Sequence, residues 1–213
     1  MALATQNFGR IIMFDGPDGV GKTEQVRLVE QALREQQYDV YVTRIHGGTP
    51  IGEKLREVSL SDTPRTPYTD LYISKAIHAE FAYDLRQRRT AGTICLVDRS
   101  PAAMWAYQVK AGGLDPNLAL PIIKDSFAMF NADAVLVYEA GLHILKERLA
   151  LRSDSKRDYF ENRADAYHEY VIIGYAETER LFGTTLVSAH ESIEAVHAQT
   201  MGIIQPLLPA HAQ

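Results

Sequence analysis

The sequence predicts an α/β fold, a three-layer arrangement with a five-stranded parallel sheet between two sets of helices. Two observations carry this prediction. Short apolar runs alternate with longer amphipathic stretches along most of the chain, the pattern of strands covered on both faces. The first apolar run also leads straight into a glycine-rich turn, Gly16-Pro17-Asp18-Gly19-Val20-Gly21-Lys22-Thr23, which opens the first helical stretch.

Taken in order, the strands are expected at residues 10–14, 39–44, 93–98, 134–139 and 184–188. The second of them alternates polar and apolar positions. Helices are expected between them. Residues 22–37 carry Val26, Val29 and Leu33 on one face, and residues 69–89 carry Ile73, Ile77, Phe81 and Leu85 at steps of four. Two further helical stretches fill residues 101–130, broken near Gly112-Gly113 and Pro116. Residues 142–151 and 165–181 read as helices flanking a polar segment at 152–163. Ser188-Ala189-His190-Glu191 has the form of a capping box opening a last helix, with Ile193, Val196 and Ile203 inward. The proline-containing stretch 61–67 reads as a loop, and no repeat or linker divides the chain, so residues 1–213 are expected to form one domain.

Composition narrows the class. The chain is 46% hydrophobic and 23% charged, with 22 Lys plus Arg against 27 Asp plus Glu and a net charge of −5. That balance disfavours a surface built to coat nucleic acid or an acidic membrane. A single cysteine, Cys95, excludes an internal disulfide and fits a reducing compartment. Residues 1–7 lack the pattern of a signal peptide, and no apolar run approaches the roughly 20 residues that span a bilayer. A soluble, cytoplasmic protein is expected.

The chemistry begins at the glycine-rich turn, which fits G-x-x-x-x-G-K-[ST], the phosphate-binding P-loop. Glycines let backbone N–H groups wrap an anion, and the following helix adds its positive end. Lys22 is expected to reach the β- and γ-phosphates of a nucleoside triphosphate, and Thr23 to hold Mg²⁺ through its hydroxyl. A second clue is the apolar run ending in Asp98-Arg99, where a strand-terminal carboxylate supplies the Asp that P-loop enzymes direct at Mg²⁺. A third is the basic density of Arg152, Lys156, Arg157 and Arg163, which reads either as a solvated loop or as a lid over a phosphate site.

These residues resemble the thymidylate kinase family, which transfers phosphate from ATP to dTMP. The resemblance runs from about residue 10 to residue 196. It is carried by the P-loop with its Asp18, by Thr43-Arg44 followed by Gly47-Gly48-Thr49-Pro50, and by Ile51-Gly52-Glu53-Lys54-Leu55-Arg56. Asp98-Arg99, Ala106-Tyr107-Gln108, Gly113-Leu114-Asp115, Asp158-Tyr159-Phe160-Glu161 and Ser192-Ile193-Glu194-Ala195-Val196 continue it. The resemblance implies a P-loop kinase fold with a short lid at about 152–163. It implies that Asp18 contacts the acceptor's 3′-hydroxyl or phosphate surroundings, that Arg99 binds the acceptor phosphate with help from Arg44 or Arg56, that Tyr107 lies beside the deoxyribose, and that Gln108 lies near the base. Gly19 stands where some members carry an arginine, which shifts the catalytic arginine to Arg152 or Arg157. A homodimer is implied as well.

The base wall departs from the family pattern. Ile45-His46 replace Glu-Pro, and Ser74 aligns with the aromatic residue that stacks on thymine. His78 aligns with the arginine that reads the thymine edge, as base reader or as core histidine. Met104 replaces a small polar residue, Ser100 an aromatic and Tyr159 a lid arginine. The reading is ATP-dependent phosphorylation of a deoxynucleoside monophosphate, dTMP first and another or modified monophosphate second. A P-loop regulatory switch is the rival from a different class, disfavoured because Asp98-Arg99 and the basic stretch would build a second phosphate site that a switch does not need. A nucleic-acid-end kinase is disfavoured by the acidic balance.

Overall fold

A computed structural model describes residues 8–45, 49–61, 63–151 and 164–209. Five strands, β1 (Ile11–Asp15), β2 (Val40–Arg44), β3 (Ile94–Asp98), β4 (Ala134–Glu139) and β5 (Thr185–Ser188), form one sheet in the order β2-β3-β1-β4-β5. Every pairing is parallel. All five carboxyl ends therefore lie on one edge, where an open α/β sheet places its ligands.

The alternation inside β1 explains the three layers. Ile12 and Phe14, with Ile94 and Leu96, pack against Val26, Val29 and Leu33 of α1 (Lys22–Glu35) and against Val196 and Ile204 of α7 (Ile193–Ile204). Ile11 and Met13, with Cys95 and Val97, face the opposite way. They meet Ile77, Phe81 and Leu85 of α3 (Pro67–Thr90) and Phe130 of α4 (Pro116–Phe130). Each such side chain contributes roughly 1.5–3 kcal/mol by leaving water. Cys95 belongs to this core, and burial pushes its thiol up to about 12, so it is no nucleophile.

Three local features differ from the sequence expectation. Residues between β2 and α3 are helical, forming α2 (Pro50–Leu60), in which Thr49 caps Gly52 N–H at 3.0 Å and Pro50 occupies the first turn. The first helix of the 101–130 stretch is a π-helix, Met104–Ala111. The cap of α7 is Ser192, whose Oγ accepts from Ala195 N–H at 3.2 Å, whereas Ser188 is the last residue of β5. The expected capping box thus lies four residues too early. The remaining α-helices among the described residues are α5 (Leu142–Ala150) and α6 (Asp165–Phe182), and a 3-10 turn, Gln205–Leu207, follows α7.

The π-helix is clamped to α6. A Cβ at Gly174 would lie 2.6 Å from Ala106 Cα, so the two backbones almost touch and only glycine fits. Trp105 Nε1 and Lys110 Nζ both donate to the Glu177 carboxylate at 2.8 Å.

Candidate functional site

The turn from β1 into α1 forms the predicted phosphate loop. Gly16 adopts φ 135°, and a Cβ there would sit 2.4 Å from Tyr138 O. Gly19, at φ 83°, is pressed against α5, where a Cβ would meet Leu149 Cγ at 2.8 Å and Leu145 O at 2.9 Å. An arginine at this position would have no room, which agrees with the glycine found in the sequence. Gly21 is the N-cap of α1 and offers no side chain to its free N–H groups, leaving them for an anion. Lys22 Nζ donates to Gly16 O and Pro17 O, each at 2.9 Å, and lies 3.8 Å from Asp18 Oδ1. Burial and then Arg99 lower its pKa to about 8.

From the neighbouring strand β3 come Asp98 and Arg99. Thr23 Oγ1 donates to Asp98 Oδ2 at 3.2 Å, while Asp98 Oδ1 is buried with no hydrogen-bond partner among the described residues. Arg99 donates through Nη2 to Asp18 Oδ1 and through Nη1 to Gly16 O at 3.2 Å. Tyr107, from the π-helix, donates to Asp18 Oδ2 at 3.0 Å. Burial works against the charge on Asp18, but Arg99 and then Lys22 hold its carboxyl well below the usual range.

A wholly buried carboxylate, Asp15, lies behind this cluster. Its Oδ1 accepts from Gly16 N–H and Tyr175 OH, both at 2.8 Å, and its Oδ2 accepts from Ser100 N–H at 2.9 Å and Ser100 Oγ at 2.7 Å. Arg99 Nη1 lies 3.8 Å from Oδ1. Burial raises the Asp15 pKa despite these partners.

A cavity of about 620 Å³ opens over the cluster. It collects thirteen of the nineteen site residues that the sequence singled out: Asp18, Gly19, Gly21, Lys22, Thr23, Arg44, Arg56, Ser74, Asp98, Arg99, Met104, Tyr107 and Gln108. Arg44 reaches Glu53 of α2 at 3.6 Å. Gln108 is 8% exposed, and its Oε1 has no hydrogen-bond partner among the described residues.

His78 is not on this wall. It is completely buried and stands edge-on to Phe130, with ring centroids 5.4 Å apart. Arg152 and Arg157, with the expected lid at 152–163, lie outside the described residues.

Among the residues of the site that escaped the sequence reading, four matter to its geometry. Ser59 of α2 lines the cavity, and Arg148 of α5 lines it while donating to Val20 O at 3.1 Å and Ala189 O at 2.9 Å. Arg148 thereby ties the phosphate loop to the turn after β5. The others are Asp15, which repeats the strand-terminal carboxylate pattern of Asp98, and Tyr175, 160 residues distant, for which no local signal exists.

The thymidylate kinase family profile matches residues 14–200. A thymidylate kinase of Symbiobacterium thermophilum is 30% identical over 203 residues, 93% of this chain and 94% of its own. One from Pseudomonas putida (strain F1) is 32% identical over 210 residues, covering 94% and 95%. One from Thermomicrobium roseum reaches 43% identity over 105 residues, about half of each chain.

Proposed function

The chain belongs to the thymidylate kinase family, and from that premise we propose how its residues divide the work of moving the γ-phosphate of ATP onto dTMP. The products are dTDP and ADP. One observation carries the division. Lys22 and Arg99, cations from different strands' loops, converge on the same carboxylate, Asp18, and on the same carbonyl, Gly16 O. Two phosphate groups drawn to these cations would meet within one cavity.

On this reading the loop 16–23 and Lys22 hold the donor phosphates, and Arg99 grips the acceptor phosphate, with Arg44 and Arg56 at the same cavity wall. An acceptor phosphate oxygen attacks the γ-phosphorus in line, and the bond to the bridging oxygen of ADP breaks. Catalysis is positioning and charge neutralisation, with no covalent intermediate. Asp98 Oδ1, without a hydrogen-bond partner among the described residues, and the hydroxyl of Thr23 would suit a hard cation. Mg²⁺ held there would neutralise charge on the donor phosphates. Arg152 or Arg157 is proposed as the lid cation, in place of the arginine for which Gly19 has no room.

Tyr107 is assigned to the sugar side and Gln108 to the base, where its Oε1, without a partner among the described residues, suits an N–H of a thymine edge. Ser74 and Met104 face the cavity and His78 does not, which favours as second reading an acceptor with a different base. The deciding measurement is ADP release with ATP–Mg²⁺ and a panel of dTMP, dUMP, dCMP, dAMP and dGMP. Preference for dTMP is the expected result, and preference for another base supports the second reading. If no monophosphate stimulates release, the assignment of the site is wrong.

We further propose a homodimer. On α3, Tyr72, Ala76, Ala79 and Tyr83 form an exposed stripe at helical spacing, with the two tyrosines 56% and 64% exposed. Ile51 and Val58 of α2 are exposed as well. Sedimentation should give twice the chain mass, and the Tyr72→Glu/Tyr83→Glu variant should give one chain mass; a wild-type monomer would sink the idea. No helix among the described residues is long and apolar enough to cross a membrane, and we place the enzyme in the cytoplasm.

A further inference from the structure

Arg99 has a backbone that its residue type resists. Its φ is 82°, in the left-handed region, which a residue with a Cβ rarely adopts. Such a conformation persists only where the surroundings impose it. Two sets of bonds do so here. Arg99 N–H donates to Phe14 O at 2.8 Å, which fixes the residue against β1. The next residue, Ser100, is held by Asp15 through both its N–H and its hydroxyl. The chain on either side of the twist is thus pinned to the end of one strand.

The side chain is constrained from the same point. Tyr175 OH lies 2.8 Å from Asp15 Oδ1 and 3.5 Å from Arg99 Nη1. A carboxylate only accepts and a guanidinium only donates. The hydroxyl therefore gives its proton to Asp15 and turns a lone pair to Arg99. The Tyr175 ring also stands edge-on to Tyr107, at 6.1 Å between centroids, beside the residue that holds the other oxygen of Asp18.

Burying a carboxylate as completely as Asp15 is costly, and an apolar residue of similar size would fill the space more cheaply. The charge is explained if its task is to aim a cation. We infer that Asp15 and Tyr175 are positioning residues that set the guanidinium of Arg99 for the acceptor phosphate, so that α6 helps determine acceptor affinity. This inference rests on the reading of Arg99 given above.

The test is Tyr175→Phe, which keeps the buried ring and removes only the bridging hydroxyl. Loss of one such bond should raise the Kd and KM for dTMP about 3- to 10-fold, with the KM for ATP changed by less than about twofold. Binding of dTMP without ATP, measured by calorimetry, should weaken by the same factor. In an Arg99→Lys background the same substitution should have little further effect, because the group it aims is gone. Asp15→Asn is the second variant, expected to weaken dTMP more than Tyr175→Phe does. A lower melting temperature with unchanged dTMP affinity would make the hydroxyl merely structural and overturn the inference. So would equal losses for ATP and dTMP, or full additivity with Arg99→Lys. If Arg99→Lys itself leaves the dTMP affinity intact, the assignment of Arg99 fails, which is a separate outcome.

Discussion

Arg99→Ala should lower kcat/KM for dTMP by about three orders of magnitude, the scale on which an arginine neutralises a transferring phosphate. The loss should appear chiefly in the acceptor's KM and in kcat, with ATP binding largely kept, because Lys22 and the loop glycines remain. Arg99→Lys should fall between, since an ammonium keeps the charge but loses the fork that can hold two oxygens. The alanine variant also leaves the Asp18 carboxylate without its main partner. The two side chains are 25% and 20% exposed, so the cost is set below that of a fully buried pair, at about 2 kcal/mol. The pH dependence gives an independent check. Asp18 is held below its ordinary value of 3.8 in the fold, so its contribution to stability is present above that value and lost as pH falls. The gap in melting temperature between wild type and Arg99→Ala should therefore be widest near neutrality and narrow toward pH 3. A variant that melts like wild type and still turns over dTMP at a similar rate would remove Arg99 from the mechanism.

What the sequence disclosed and what it hid follow a physical division. The strands were legible to within about one residue at each end, because runs such as residues 11–14 and 94–97 are buried on both faces and are apolar throughout. The phosphate loop was legible because its chemistry is local, with glycines, lysine and threonine held in one turn. The helix α2 was missed although Thr49-Pro50 is a good start signal, since its polar residues blur the apolar period. The π-helix could not be read at all, because a hydrogen-bond shift of one residue leaves no mark on composition. His78 shows the limit of alignment by spacing: it falls where a base reader is expected, yet the turn of α3 directs it at Phe130. Asp15, Ser100 and Tyr175 form a network only once three distant segments meet, and nothing near Tyr175 in the chain marks it. The residues assigned to ligands were therefore easier to find than those that hold them in place.

Lys22→Met should separate catalysis from stability more sharply than any other substitution. Its ammonium is 7% exposed and is the cation assigned to the donor phosphates, so its loss should reduce kcat by about a thousandfold or more. The fold, however, gains nothing from this charge while the phosphates are absent. The pKa of Lys22 is lowered from 10.5 to about 8. A depressed value means that the folded state favours the neutral amine, so the stability linked to this group is complete above 10.5 and falls away as pH drops through about 8. At pH 7 the charged lysine is a burden of about 3 kcal/mol on the free enzyme, partly offset by its bonds to Gly16 O and Pro17 O. The methionine variant, without ligand, should melt at or above the wild-type temperature at pH 7, and that advantage should shrink as pH rises to 9. Binding ATP reverses the balance, because triphosphate favours the ammonium. Above pH 8 the wild-type enzyme must take up a proton on binding, so the KM for ATP should rise by up to about tenfold per pH unit. Calorimetry in two buffers of different ionisation heat would count that proton at pH 8.5 and find none in Lys22→Met. An inactive variant that also melts well below wild type would mean that Lys22 stabilises the loop, and the separation of roles would fail.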